Sequence, residues 1–132
     1  MRATLFMVSI MLLTSVASCH TESDEPNSNY DIDGQWNLVH VGGGIDGRDL
    51  NFDLGVIIWT FNENTGTVTI VNDSENGLSV FQSGTYPFSI EEVGNHKTIT
   101  IDGVHFGSFE IFQNQIHIDQ QVADGILMEL KK

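Results

Sequence analysis

Three histidines could do chemistry: His40, His105 and His117 lie on segments where side chains alternate in direction. Imidazoles on neighbouring strands with matching faces can hold a metal. His105 and His117 stand on the two arms of one expected hairpin, some distance from its turn, but a surface position is the commoner fate of such residues. No metal or cofactor is therefore expected. Glu91-Glu92 falls at an expected turn, where adjacent carboxylates point apart and suit solvation better than acid–base work. The glycines from Gly42 to Gly47 open no helix, and no nucleophile elbow or H-E-x-x-H appears, so no enzyme is expected. The single cysteine, Cys19, cannot form an internal disulfide. It must be a buried small residue, a reactive group, an intermolecular partner or the site of a modification. Trp59, Phe61, Tyr86 and Phe88 recur at alternate positions, and such a set either contacts a small apolar ligand or fills a core.

The elements that must position these residues are strands. From Asp33 onward, period-2 runs alternate with turn residues, and no window of helical length carries apolar spacing of three and four. Eight strands are expected: Gly34–Val41, Val56–Asn62, Thr67–Asn72, Ser83–Ile90, Lys97–Asp102, His105–Phe112, Gln115–Asp119 and Ile126–Lys131. Most of the links are short and supply residues that tolerate positive φ, among them Asn64-Thr65-Gly66, Gly94-Asn95 and Asp102-Gly103. Trp36, Leu38, Ile57, Trp59, Phe61, Val68, Ile70, Ile99, Ile101, Phe109, Ile116, Ile118, Met128 and Leu130 fall on one side, with Tyr86, Phe88, Ile90 and Ile111. Thr69, Thr100, Glu110, His117 and Glu129 fall on the other. With no helix to cover the apolar face, the sheet must close on itself or meet a second sheet. The expected fold is all-β, an eight-stranded antiparallel up-and-down barrel, with a two-sheet sandwich as the alternative.

The residues before Asp33 cannot belong to that core. Arg2 followed by the apolar run Leu5–Leu13 reads as an export signal, too short to span a bilayer as a helix. Val16-Ala17-Ser18-Cys19 resembles the lipobox of bacterial lipoproteins. That resemblance implies cleavage of residues 1–18 as a signal peptide and acylation of Cys19, and two or three acyl chains hold a protein durably on a bilayer. Residues 19–32 then form the lipidated start and an acidic flexible tether, of a composition that buries too little surface to fold alone and reaches roughly 20 Å. The acids Glu22, Asp24 and Glu25 are similar to the signal that sends lipoproteins of the Bacteroidetes group to the cell surface. The expected address is the outer membrane of the cell envelope.

Charge excludes one class of partner. The chain has a formal net charge of −13, with eighteen acidic residues against five basic ones. Phosphate backbones and anionic headgroups are repelled by such a surface, so no nucleic acid is expected, and the membrane contact should come from the acyl chains.

Residues 33–132 resemble lipocalins. Gly34-Gln35-Trp36 is similar to the G-x-W that opens their first strand, and Trp59-Thr60-Phe61 and Gly84-Thr85-Tyr86 look like recurrent positions of bacterial lipocalin-like domains. The resemblance implies a structural plug, with Gly34 and Trp36 closing one barrel end. Lipocalins often stack an arginine from the last strand on that tryptophan, and the nearest basic groups here are Lys131 and Lys132. A small apolar ligand would enter at the other end and meet Trp59, Phe61, Tyr86 and Phe88. The alternative is a filled barrel that displays the glycine-rich loop 42–54, which carries Arg48, to a protein partner at the cell surface.

Overall fold

The computed structural model describes residues 31–75, 81–120 and 122–132. Nine strands follow one another: β1 (Gly34–Gly43), β2 (Arg48–Asn51), β3 (Ile57–Asn62), β4 (Thr67–Asn72), β5 (Gly84–Val93), β6 (His96–Ile101), β7 (Val104–Phe112), β8 (Gln115–Asp119) and β9 (Ile126–Lys131). Among the described residues there is no helix. All pairings are antiparallel, in the order β2-β1-β3-β4-β5-β6-β7-β8-β9, and β1 also pairs with β9. That last pairing closes eight strands into an up-and-down barrel and leaves β2 as one extra strand. The sandwich alternative is thereby excluded.

Local chemistry sets the turns. Asp102 and Gly103 both have positive φ, 52° and 76°, the pair of left-handed residues that a two-residue hairpin link needs to match strand twist. Residues 31–33, the β3–β4, β5–β6 and β7–β8 turns and Lys132 gather at one end of the barrel. The turn 44–47, residues 73–75 and 81–83, the β6–β7 turn and residues 122–125 lie toward the other end.

The expected inward set is buried with few exceptions; Tyr86, Phe88, Ile90 and Ile111 are half-buried and pack against the core. Four further residues join it: Ile32, Val41, Phe81 and Phe106. Ile32, read from sequence as the last residue of the tether, is 1% exposed and belongs to the domain. The signal peptide, Cys19 and the tether up to residue 30 lie outside the described residues.

Two bulges account for Val41 and Phe106. Between β1 and β9 the register passes from Leu38↔Leu130 to His40↔Glu129, so Val39 is an extra residue and the parity of β1 flips after it. Val41 then points inward and His40 outward. Between β6 and β7 the register passes from Thr98↔Ser108 to Thr100↔His105, with Gly107 at φ 87° in the longer arm. Phe106 and Phe109, three apart, therefore both reach the interior. Strict alternation would have put one of them in water.

The loop after β1 is more ordered than a connector. β2 pairs with the second half of β1, from His40↔Asn51 to Gly43↔Arg48, while the first half of β1 pairs with β3 from Gly34↔Phe61 to Asn37↔Ile58. One long strand thus serves two short ones in succession. Glu91-Glu92, expected at a turn, instead continues β5 on exposed positions.

Candidate functional site

The closed end is built around Trp36. Its side chain is fully buried, and its Nε1–H donates to the Ile32 carbonyl at 2.7 Å, so the chain just before β1 folds back beneath the indole. Lys132 covers the outer face of the ring, with Nζ 4.6 Å from the ring centroid, and the same ammonium donates to the Asp33 carbonyl at 3.2 Å. The lysine just past the last strand fills the stacking position, and a cation over an indole face is attracted by the ring quadrupole. Its neighbour Lys131 does not take part, since β9 directs alternate side chains to opposite faces. The Lys132 amide also donates to the Asn114 carbonyl at 3.0 Å, which ties the carboxyl terminus to the β7–β8 turn.

Above this floor stands an aromatic chamber. Trp59 is the cross-strand partner of Trp36 and is fully buried. Its ring lies 6.0 Å from Phe61 and 5.0 Å, edge-on, from Phe81. Phe61 meets Phe88 at 5.1 Å, and Phe81 also meets Tyr86 at 5.9 Å and Phe106 at 5.0 Å. The four aromatics expected from sequence thus belong to one connected set. The two that join it, Phe81 and Phe106, complete the circuit. Phe81 comes from the segment before β5, where no strand pattern marks it, and Phe106 is hidden by the Gly107 bulge, for which a glycine inside a strand is the available sequence signal. Phe81 is the hub, touching three rings.

Among the described residues no charged or hydrogen-bonding polar residue is buried, with tryptophan counted as hydrophobic. The Trp59 Nε1–H is the exception in kind: it is a buried donor with no acceptor within reach. An orphan donor in an apolar interior is unfavourable by about 1–3 kcal/mol, and native structures rarely leave one unexplained. The donor could be satisfied by an uncharged acceptor that displaced part of these ring contacts, whereas an anion would meet no buried cation among the described residues.

Compared with protein-family models, curated proteins and solved structures, the chain has no significant match. The site is thus argued from its own geometry. At the open end, Gly44, Ile45, Asp46 and Arg48 face Gln120, Asp124 and Ile126 across a cleft of about 410 Å³. Arg48 Nε donates to Asp46 Oδ2 at 2.8 Å, and this hydrogen bond holds the Asp46 carboxyl below its ordinary range. Ile45 projects from the tip of the turn and is 91% exposed. At the closed end, Asp31, Asp33 and Glu63 bring carboxylates within 4.8 Å of one another. Asp31 accepts from the Asp33 amide at 2.9 Å and Asp33 from the Glu63 amide at 2.6 Å, so the group pins the residues just before β1 to the β3–β4 turn.

His105 and His117, conceivable as a pair on one hairpin, are not register partners. His105 faces Thr100 near the open end, while His117 sits between Glu110 and Glu129.

Proposed function

We propose that the chain is an exported lipocalin-like binding module, anchored by acyl chains on Cys19 to the outer membrane of the cell envelope. Its barrel takes a small apolar ligand that carries one uncharged hydrogen-bond acceptor. The observation that carries the reading is the unpartnered Trp59 Nε1–H inside a chamber of aromatic rings. A ketone, ester or alcohol on an alkyl chain would satisfy that donor and replace ring contacts with its own apolar surface. Titration of tryptophan fluorescence with a long-chain methyl ketone should give a saturable change that Trp59→Phe removes. The matched carboxylate should bind more weakly, because its charge would be buried unpaired. A flat titration with every compound would end the proposal.

A second reading rests on the loop 42–54. Ile45, at 91% exposure, shares a turn with the Arg48–Asp46 pair, and Leu54, at 69%, adds a second exposed apolar side chain further along the loop, an apolar and polar mixture suited to a surface protein partner. Photo-cross-linking from position 45 on intact cells should recover one protein; recovery of none would count against this reading.

A further inference from the structure

A row of acids and imidazoles crosses the outer wall where β1 meets β9. Glu110 on β7 is the register partner of His117 on β8, His117 of Glu129 on β9, and Glu129 of His40 on β1. Beyond His40, Nε2 of its ring lies 2.9 Å from Asp49 Oδ1 on β2. Four strands thus present acid, imidazole, acid, imidazole in one transverse line, and Asp49, two residues off that line opposite Gly42, adds a fifth group from β2. The bulge at Val39 is what admits His40, since unbroken alternation would turn it inward. Register neighbours on one face have Cβ atoms about 4.5–5.5 Å apart, so His40 and His117 each flank Glu129 within side-chain reach, and the three must turn toward a common point on binding, since the donor atoms already gathered within 4.8 Å among the described residues are those of Asp31, Asp33 and Glu63. Among the described residues, Glu110, His117 and Glu129 are committed to no hydrogen bond or ion pair, so their donor atoms are available.

We propose that His40, Glu129 and His117 form a binding site for a first-row transition-metal dication of the Zn²⁺ type. Two imidazole nitrogens and one carboxylate oxygen are a zinc-like donor set, whereas Ca²⁺ and Mg²⁺ take oxygen ligands. Asp49 holds His40 through Nε2 and leaves Nδ1 for the metal. Glu110 stands on the far side of His117 in the matching place. A carboxylate behind a ligating imidazole fixes the ring and raises its basicity, and here each imidazole has one. Three protein ligands leave a fourth position for water or for a group on another molecule. The strongly acidic chain raises the local concentration of cations around the site. Because its ligands come from β8, β9 and β1, a bound ion would clamp the pairing that closes the barrel.

The test uses the protein as purified from its cells in detergent micelles, stripped with chelator and titrated with Co²⁺, then with Zn²⁺. One Co²⁺ per chain should give a visible d–d band that Zn²⁺ displaces. His40→Ala and His117→Ala should each abolish it, and Asp49→Asn should lower affinity about 10–100-fold. His96→Ala and His105→Ala should leave it intact. Zn²⁺ should raise the thermal transition of the wild-type chain and not that of His117→Ala, whose metal-free transition should match wild type. The proposal fails if no band appears, if the band survives in the His40→Ala/His117→Ala double variant, or if it is lost instead with His20→Ala or with Asp31→Asn/Glu63→Gln.

Discussion

Gly107→Ala should be far more damaging than an alanine at another glycine of the same conformation. Gly107 has φ +87°, and a Cβ there would collide with the Asp119 carbonyl oxygen and approach Gln120 Cα at 2.7 Å. Both obstacles are backbone, so neither can rotate away. Gly94 has φ +65° with nothing within 4 Å of an added Cβ, which makes it the control. Gly94→Ala should cost about 1–2 kcal/mol, the penalty of an L-residue in the left-handed region. Gly107→Ala carries the same penalty and must also open the bulge. If Phe106 loses its place in the chamber, the further cost approaches that of removing a buried Phe, about 3–5 kcal/mol. Both substitutions shrink the unfolded ensemble alike, so that contribution cancels in the comparison. Urea unfolding of the two variants, followed by tryptophan fluorescence, measures the difference. In thermal melts each kcal/mol should lower the midpoint by about 4–8 °C for a domain of this size. Equal losses for Gly94→Ala and Gly107→Ala would refute the account of how Phe106 is turned inward.

Three other outcomes follow from the geometry. Lys132→Ala should weaken the fold by about 0.5–1 kcal/mol through the lost cation–π contact, and a double-mutant cycle with Trp36→Phe should return a favourable coupling; a coupling of zero would remove Lys132 from the plug. Arg48→Ala should raise the Asp46 carboxyl to its ordinary range, read by carbon-detected NMR titration. Since that carboxyl is depressed in the folded chain, any stabilisation it gives is full above the unfolded value and disappears as pH falls through the folded one. Cys19→Ser should abolish labelling of the chain by a radioactive or clickable fatty acid in cells, and continued labelling would overturn the anchor.

Most of the barrel is legible in the sequence because alternation is a local property. Thr67–Asn72, Gln115–Asp119 and Ile126–Lys131 each place an apolar residue at alternate core positions, and their observed bounds coincide with those expected. What escapes is whatever depends on a partner strand. Val41 and Phe106 read as outward until a bulge shifts parity, and a bulge is defined by two strands at once. β2 is four residues long, with Arg48, Asp49 and Asn51 exposed, so it has no hydrophobic signature, and it exists because β1 outruns β3. Phe81 has no strand around it and is placed by ring contacts from β3, β5 and β7. The same reasoning applies to the site. Trp59, Phe61, Tyr86 and Phe88 were recognisable as an inward set, whereas the alignment of His117, Glu129 and His40 emerges only from the register of three strands.

The meeting of β1 and β9 has a consequence for the order of folding. Asn37 Nδ2 donates to the Lys131 carbonyl across 94 positions of sequence, and Lys132 reaches Asp33 across 99. Each sequential hairpin can zip as soon as its two arms exist, but this seam joins the first arm to the last and carries the greatest loop-closure cost. Until the final seven residues arrive, the curled meander has two raw margins and a Trp36 without Lys132 over its ring. A chain truncated before Ile126 should therefore self-associate through those margins rather than persist as a smaller barrel. Under the export proposed above, such a late seam would keep the polypeptide threadable until its tail had crossed, and completion would then erase both margins in one step.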